Sequence, residues 1–291
     1  MIKSLLAQLR NGKTLTTTEI QYFLNEIISG HVSLPQTGAF LMALAQRGET
    51  TDEILGAAQT LRAHVIPIAA PHNTMDCCGT GGDHANTLNI STAVAFVLAG
   101  CGIPIAKHGS RAASSQSGAA DVLEALGINL DLSPEQCTQA LQQFGYCFLM
   151  APHYHHVLKP LAAIRKELGF RTLFNALGPL ANPARTLNQL IGVYRKDLLI
   201  PFARVLKELG SHSALIVHGS DGLDEITLTG STHYAFLKNG TITEGVFTPD
   251  DFGLSYIKSD DIRGSDAVTN ASALTALLDG QPSAYRDVVL A

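Results

Sequence analysis

The stretch "CGTGGDHANTLNIST", residues 78–92, decides how this chain is read. It follows the apolar "TMDCC" and opens onto an apolar run that begins near Ile90, so it is a glycine-rich turn between a strand and a helix. Glycines there let backbone amides approach a ligand closely, and the helix that follows presents the positive end of its dipole to an anion. A phosphate or diphosphate is the natural guest. The spacing is not a dinucleotide fingerprint, because a G-x-G-x-x-G anchored at Gly79 and Gly81 needs glycine where His84 stands, and no GK[ST] follows to make a P-loop. On its glycines alone the loop fits a ligand-free turn equally well. Asp83, Thr87, Asn89, Ser91 and Thr92 favour the ligand, since a mere turn does not need so many donors and acceptors.

Upstream of this loop the first 65 residues read as short helices. Thr16 with Glu19, Ser33 with Gln36, and Thr50 with Glu53 each have the capping-box spacing, and Pro35 lies just inside the second helix start. No strand pattern separates them, so they form a small helical unit, with "VIPIAAPHN" (65–73) as its exit linker. Downstream the rhythm becomes strand, turn, helix. "GIPIAKHG", "YCFLMAP" and "SALIVHGSDGLDE" alternate with helical segments at about 90–101, 115–127, 133–144 and 197–209. That alternation predicts an α/β fold, a mostly parallel sheet with helices on both faces, plus the small all-helical domain. Asn239-Gly240 between "HYAFLK" and "TITEGVF" adds a late antiparallel hairpin.

Composition narrows the class. The chain has 291 residues and a net charge of −5, which gives no electrostatic reason to expect a nucleic-acid partner. Its five cysteines are odd in number and lack CxxC spacing, so reduced thiols and a cytoplasmic location are expected. The longest apolar run, about 93–106, is broken by Gly100, Gly102 and Pro104 and is shorter than the roughly 18 residues of a membrane span. No membrane association is expected.

Further clusters carry chemistry. In "KHGSRAASSQSGAADVLEALG" (107–127), Lys107, His108 and Arg111 leave one strand end, and Ser114, Ser115 and Ser117 precede a helix start, which suggests a second anion site. Asp224-Glu225 follows a strand; hard oxygen ligands beside a polyphosphate suit magnesium, although such a pair is more often an exposed loop. The histidines of "HYHH" (His153, His155, His156) match no common zinc spacing. Arg165, taken alone, is a helix-surface arginine.

Together, "GTGGDHANTLNIST", "KHGSRAASSQSGAADVLEALG", "RKELGFRTLFNALGPLANP" and "DGLDE", in this order, resemble the anthranilate phosphoribosyltransferase family over nearly the whole chain. The resemblance implies a homodimeric, Mg2+-dependent enzyme of tryptophan biosynthesis with a fold of the nucleoside phosphorylase/phosphoribosyltransferase type. It implies a helical domain at 1–65, joined by helices from about 154–185, and an α/β domain formed by 74–153 and 186–291, with phosphoribosyl pyrophosphate between them. Gly79, Thr80, Gly81, Gly82, Asp83, Thr87, Asn89, Ser91, Thr92, Lys107, Ser114, Ser115 and Ser117 would bind that donor, and Ser91, Asp224 and Glu225 the metal. Gly79, His108, Ser110, His155 and Arg165 would bind anthranilate, Arg165 through the carboxylate.

Two departures from the family are visible. Ser110 stands where the family usually has asparagine, and the chain ends at "YRDVVLA" where the family continues into further helices, so exposed apolar surface is expected near "VVLA". Two rivals are a pyrimidine nucleoside phosphorylase-like enzyme, which shares the fold, and a catalytically silent ligand- or nucleic-acid-binding paralogue. The full "GTGGD…NIST" with Arg165 favours the transferase over the first, and the acidic charge weighs against a nucleic-acid ligand.

Overall fold

A computed structural model describes residues 1–83, 85–112 and 116–291. The chain opens with α1 (Ile2–Arg10), α2 (Thr17–Ile28), α3 (Leu34–Arg47) and α4 (Thr51–His64). Each of the last three starts at its capping box: Thr16, Ser33 and Thr50 accept the backbone N–H three residues on, and Glu19, Gln36 and Glu53 reach back to the cap. Glu53 does more than cap. Fully buried, it accepts from the Thr50 N–H at 2.8 Å, the Leu15 N–H at 2.9 Å and Arg47 at 2.6 Å, tying the loop before α2 to α3 and α4. Stacked Phe23 and Phe40 rings, 4.2 Å between centroids, fill the space between α2 and α3.

Beyond residues 65–73, β1 (Met75–Gly79), α5 (Ile90–Gly100), β2 (Ile105–Gly109), α6 (Ala119–Ala125), α7 (Pro134–Phe144) and β3 (Tyr146–Met150) follow in turn. Three short helices come next, α8 (Ala151–Tyr154), α9 (Leu161–Leu168) and α10 (Leu173–Leu177), and then β4 (Asn188–Gly192), α11 (Leu199–Glu208) and β5 (Ser213–Gly219). The sheet order is β3-β2-β1-β4-β5, all parallel, extended by antiparallel β6 (Thr232–Lys238) and β7 (Thr241–Phe247). Asn239 and Gly240, with φ of 50° and 78°, make the tight turn between these two.

Side-chain alternation covers both faces with helices. Cys147 and Leu149 of β3 pack with Cys137 and Leu141 of α7, whereas Phe148 and Met150 pack with Ala120 and Leu123 of α6. The core of the first four helices continues without a break through Leu161 and Ile164 of α9 and Leu173 of α10 to Ile191 of β4 and Phe202 of α11. Chain order reverses around β1, with β2 on one side and β4 on the other, so a crevice opens at the carboxyl ends of β1 and β4.

Two elements depart from the sequence reading. β4, which pairs along the whole of β1, carries Asn188 and Gln189 where a buried parallel strand should be apolar. The buried Gln189 donates its Nε2 to the Pro179 carbonyl at 2.8 Å, and its Oε1 has no partner among the described residues. The expected apolar exposure near "VVLA" is also corrected. After α12 (Ala267–Leu278), α13 (Ala284–Leu290) turns Val288 and Val289 inward against Ile90, Leu223 and Leu274, and of the two valines and Leu290 only Leu290 is exposed. No helix among the described residues is long and apolar enough to cross a membrane.

Glu53→Ala would strand a buried amide and the Arg47 guanidinium together. Denaturant unfolding should show a loss of about 3 kcal/mol, and Glu53→Gln a smaller one; equal stability of Glu53→Ala and the parent would contradict this role.

Candidate active site

The site is built where two loops meet over the ends of β1 and β4. Gly79 and Gly192 are register partners there, and a side chain on either would collide with Asp224, which the loop after β5 brings down onto both. Asp224 then accepts the Gly81 N–H at 2.7 Å. Thr80 is held from the other side, its N–H donating to the Gly192 carbonyl at 2.9 Å and its hydroxyl accepting the Tyr194 N–H at 3.1 Å. Gly81 and Gly82, with φ of 68° and 79°, turn the chain through a conformation that a side chain would strain. The acidic loop has its own brace: Asp221 accepts from the Leu223 N–H at 3.2 Å and from the hydroxyls of Thr227 and Thr229.

Glu225 reaches the first turn of α5 and accepts the Ser91 N–H at 3.2 Å. Lys107 is buried on the same side of the sheet, donating to the Cys77 carbonyl at 2.6 Å and to the Ser91 hydroxyl at 3.1 Å. Glu225 thus faces both the Lys107 ammonium and the Asp224 carboxyl, and Asp224 in turn faces Asp83. Burial, and next the Asp83 charge, push Asp224 up to about 6. Glu225 keeps part of its surface accessible, yet the packing around its carboxyl and the Asp224 charge raise it to about 8. Among the described residues no three His, Cys, Asp or Glu side chains make a finished metal cage. Repelling carboxylates without a complete cage suit a hard divalent cation that takes its remaining ligands from a substrate.

The mouth of the crevice is polar. Thr87 bridges to Arg263, and Thr92 is buried in the first turn of α5. Asn89, at the α5 N-cap, donates to the Ser117 carbonyl at 3.2 Å and accepts from Asn270 at 2.9 Å, while its own carbonyl accepts from Tyr285 at 2.9 Å. Ser114 and Ser115 lie outside the described residues.

The cluster expected at the end of β2 does not converge. His108 points away from Lys107, to the opposite face, as strand alternation requires. Arg111 leaves the site altogether, bound to Glu124 at 2.8 Å and Asp121 at 3.1 Å on the surface, and Ser110 is exposed. What His108 meets is His155, with ring centroids 5.1 Å apart and both side chains buried. The His108 Nδ1 donates to the Gly178 carbonyl at 2.9 Å, which leaves Nε2 as a buried lone pair without a partner among the described residues. Burial, reinforced by His155, holds the His108 pKa near 3, so the ring is neutral; burial lowers His155 as well. Arg165, near the end of α9, lies 5.6 Å over the Phe174 ring, and no carboxylate pairs with it among the described residues. His153 faces Asp131 at 3.6 Å on the surface, away from the buried pair.

Sequence reasoning missed the groups behind these. Asp76, fully buried in β1, accepts the His108 N–H at 3.2 Å and the Asn182 amide at 2.7 Å, fixing β2 and the 178–182 turn that carries the Gly178 carbonyl. A carboxylate inside the apolar "TMDCC" was the available signal.

Two family models cover the chain: the helical bundle domain of a glycosyl transferase family over residues 3–65 and its a/b domain over residues 71–291. The anthranilate phosphoribosyltransferase of Rhodopseudomonas palustris (strain TIE-1) is 49% identical over 99% of this chain and 85% of its own length. The chain belongs to the anthranilate phosphoribosyltransferase family. Among solved structures, the anthranilate phosphoribosyltransferase from Thermus thermophilus superposes with a TM-score of 0.91 at 36% identity, covering 98% of this chain and 85% of that one. The anthranilate phosphoribosyltransferase from Saccharomyces cerevisiae, solved in complex with PRPP and Mg, gives 0.88 at 28% identity, covering 99% and 85%. That yeast anthranilate phosphoribosyltransferase is also known in complex with 4-fluoroanthranilate.

The raised Glu225 sets a pH dependence. Between its ordinary value of 4.5 and about 8, the folded chain keeps a proton that the unfolded chain has lost. Stability of the metal-free protein should therefore fall as pH rises through that window. Glu225→Gln should flatten this fall in Tm between about pH 5 and about pH 8 in the presence of a chelator; an unchanged slope would contradict the assignment.

Proposed function

We propose that the chain transfers the phosphoribosyl group of phosphoribosyl pyrophosphate to the amine of anthranilate in tryptophan biosynthesis. The anthranilate nitrogen forms a bond to C1 of the ribose, the bond from C1 to the diphosphate oxygen breaks, and the nitrogen loses a proton. The observation that carries this reading is the contact of the acidic Asp224–Glu225 loop with the glycine loop beside buried Lys107, a cradle made for a diphosphate with a cation.

Residues 79–83, Thr87, Asn89, Ser91, Thr92, Lys107 and the serine loop with Ser114, Ser115 and Ser117 hold the donor in this reading. Ser91, Asp224 and Glu225 would hold Mg2+, which when bound neutralises charge that develops on the leaving diphosphate. Lys107 and the backbone amides of the loop act on the same charge. On the other face, Arg165 takes the anthranilate carboxylate, and Gly79, Ser110 and His155 border the ring. The neutral His108 offers its Nε2 lone pair to the amine and so orients it. Anthranilate's amine is already neutral at pH 7, so a site without a strong base suffices.

The chain acts as a cytoplasmic homodimer with no nucleic-acid partner. Exposed Leu34 and Met42 on α3 offer apolar surface for a second copy, and the cysteines are free thiols.

Mixing the protein with both substrates should generate phosphoribosylanthranilate fluorescence with Mg2+ and almost none with a chelator; no product under either condition would sink the reading. Arg165→Ala should raise the KM for anthranilate roughly 10- to 100-fold, since a charged hydrogen bond contributes about 1.5–3 kcal/mol, and leave the donor KM nearly unmoved. Equal rises in both, or in neither, would show that Arg165 does not read the carboxylate.

A further inference from the structure

Arg171 lies between α9 and α10, six residues after Arg165, and its guanidinium is sandwiched. On one side its Cζ stands 4.0 Å from the centroid of the Tyr194 ring. On the other it packs on Gly82, where an added Cβ would come within 2.9 Å of Cζ and 3.1 Å of Nε. Gly82 thus has a reason to lack a side chain beyond its backbone angle. Tyr194 is itself fastened to the loop through Thr80, so the arginine is pressed flat against the glycine loop by a platform the loop helps to hold.

Its charge is uncommitted. Arg195 faces the same Tyr194 ring at 5.6 Å and is forked onto Asp197 at 2.9 and 3.0 Å, and Arg47, Arg111, Arg263 and Arg286 likewise have carboxylate partners. Among the described residues no carboxylate pairs with Arg171. Asp83, the next residue after Gly82, lies beside Asp224, whose carboxyl it raises, and forms no ion pair with Arg171. A planar, stacked cation with an unpaired N–H edge beside a phosphate loop is the arrangement that forks onto two phosphate oxygens.

We infer that Arg171 is a further donor-binding residue, forking onto the diphosphate held by the glycine loop. The inference rests on the donor proposed above. It also gives one segment two tasks: Arg165 takes the acceptor and Arg171 the donor, so the 165–171 segment spans both substrates.

Calorimetry with inorganic diphosphate and Mg2+, alongside steady-state kinetics and melting temperatures, tests this in the full chain. Arg171→Gln should weaken diphosphate binding about tenfold and raise the donor KM by a similar factor, with the anthranilate KM at saturating donor unchanged within about twofold. Arg171→Lys, which keeps the charge and loses the fork, should fall between the two. Diphosphate affinity of Arg171→Gln within about twofold of the parent, with or without a lower Tm, would reduce Arg171 to a structural clamp and overturn the inference. A parent chain that binds no diphosphate would overturn the donor reading itself, and this inference with it.

Discussion

The approach of Asp224 to the paired glycines Gly79 and Gly192 is the constraint on which the site depends. Two adjacent strands end in residues without side chains, and only because of that can the loop after β5 lie down across them and bond Gly81. The contact joins segments more than a hundred residues apart in sequence. It sets a carboxylate pair against the start of α5, where Glu225 accepts the Ser91 N–H beside the Lys107–Ser91 contact. The same closeness makes the site electrostatically unhappy when empty, since burial and like charges raise both Asp224 and Glu225. A cation carried in with an anionic substrate would remove that repulsion, so the geometry that costs stability would also favour such a ligand.

Much of the fold was legible because local chemistry agrees with the tertiary structure. The capping boxes at Thr16, Ser33 and Thr50 each satisfy orphan amides within four residues, so no distant partner was needed to see them. Asn239-Gly240 adopts the left-handed angles that its residue types tolerate. β4 was hidden for the opposite reason. Its leading amides look like a loop, and the bond that holds Gln189 in the sheet goes to the Pro179 carbonyl, outside the strand. The burial of Val288 and Val289 was equally remote, since it depends on Ile90 and Leu223, which no local pattern connects to them.

At the site, motif reading found the two loops but not their directions. Lys107 and His108 are neighbours in sequence and serve opposite faces, and Arg111 is taken up by Asp121 and Glu124. Strand alternation could have separated the first two; the pairing of Arg111 requires knowing that α6 brings its acids alongside. Asp76, Asn182 and Tyr194 were passed over because each supports another group, and Arg171 because what places it, Gly82 and Tyr194, is distant from it in sequence.

A cation at the acidic loop should be held only together with the donor. Titrating Mg2+ into the substrate-free protein, and then into protein with phosphoribosyl pyrophosphate, measures this by calorimetry. Weak, roughly millimolar binding is expected in the first case and tight, cooperative uptake in the second, because the carboxylate pair would leave most of an octahedral shell to substrate oxygens and water. Tight Mg2+ binding by the substrate-free protein, unaltered by the donor, would contradict it.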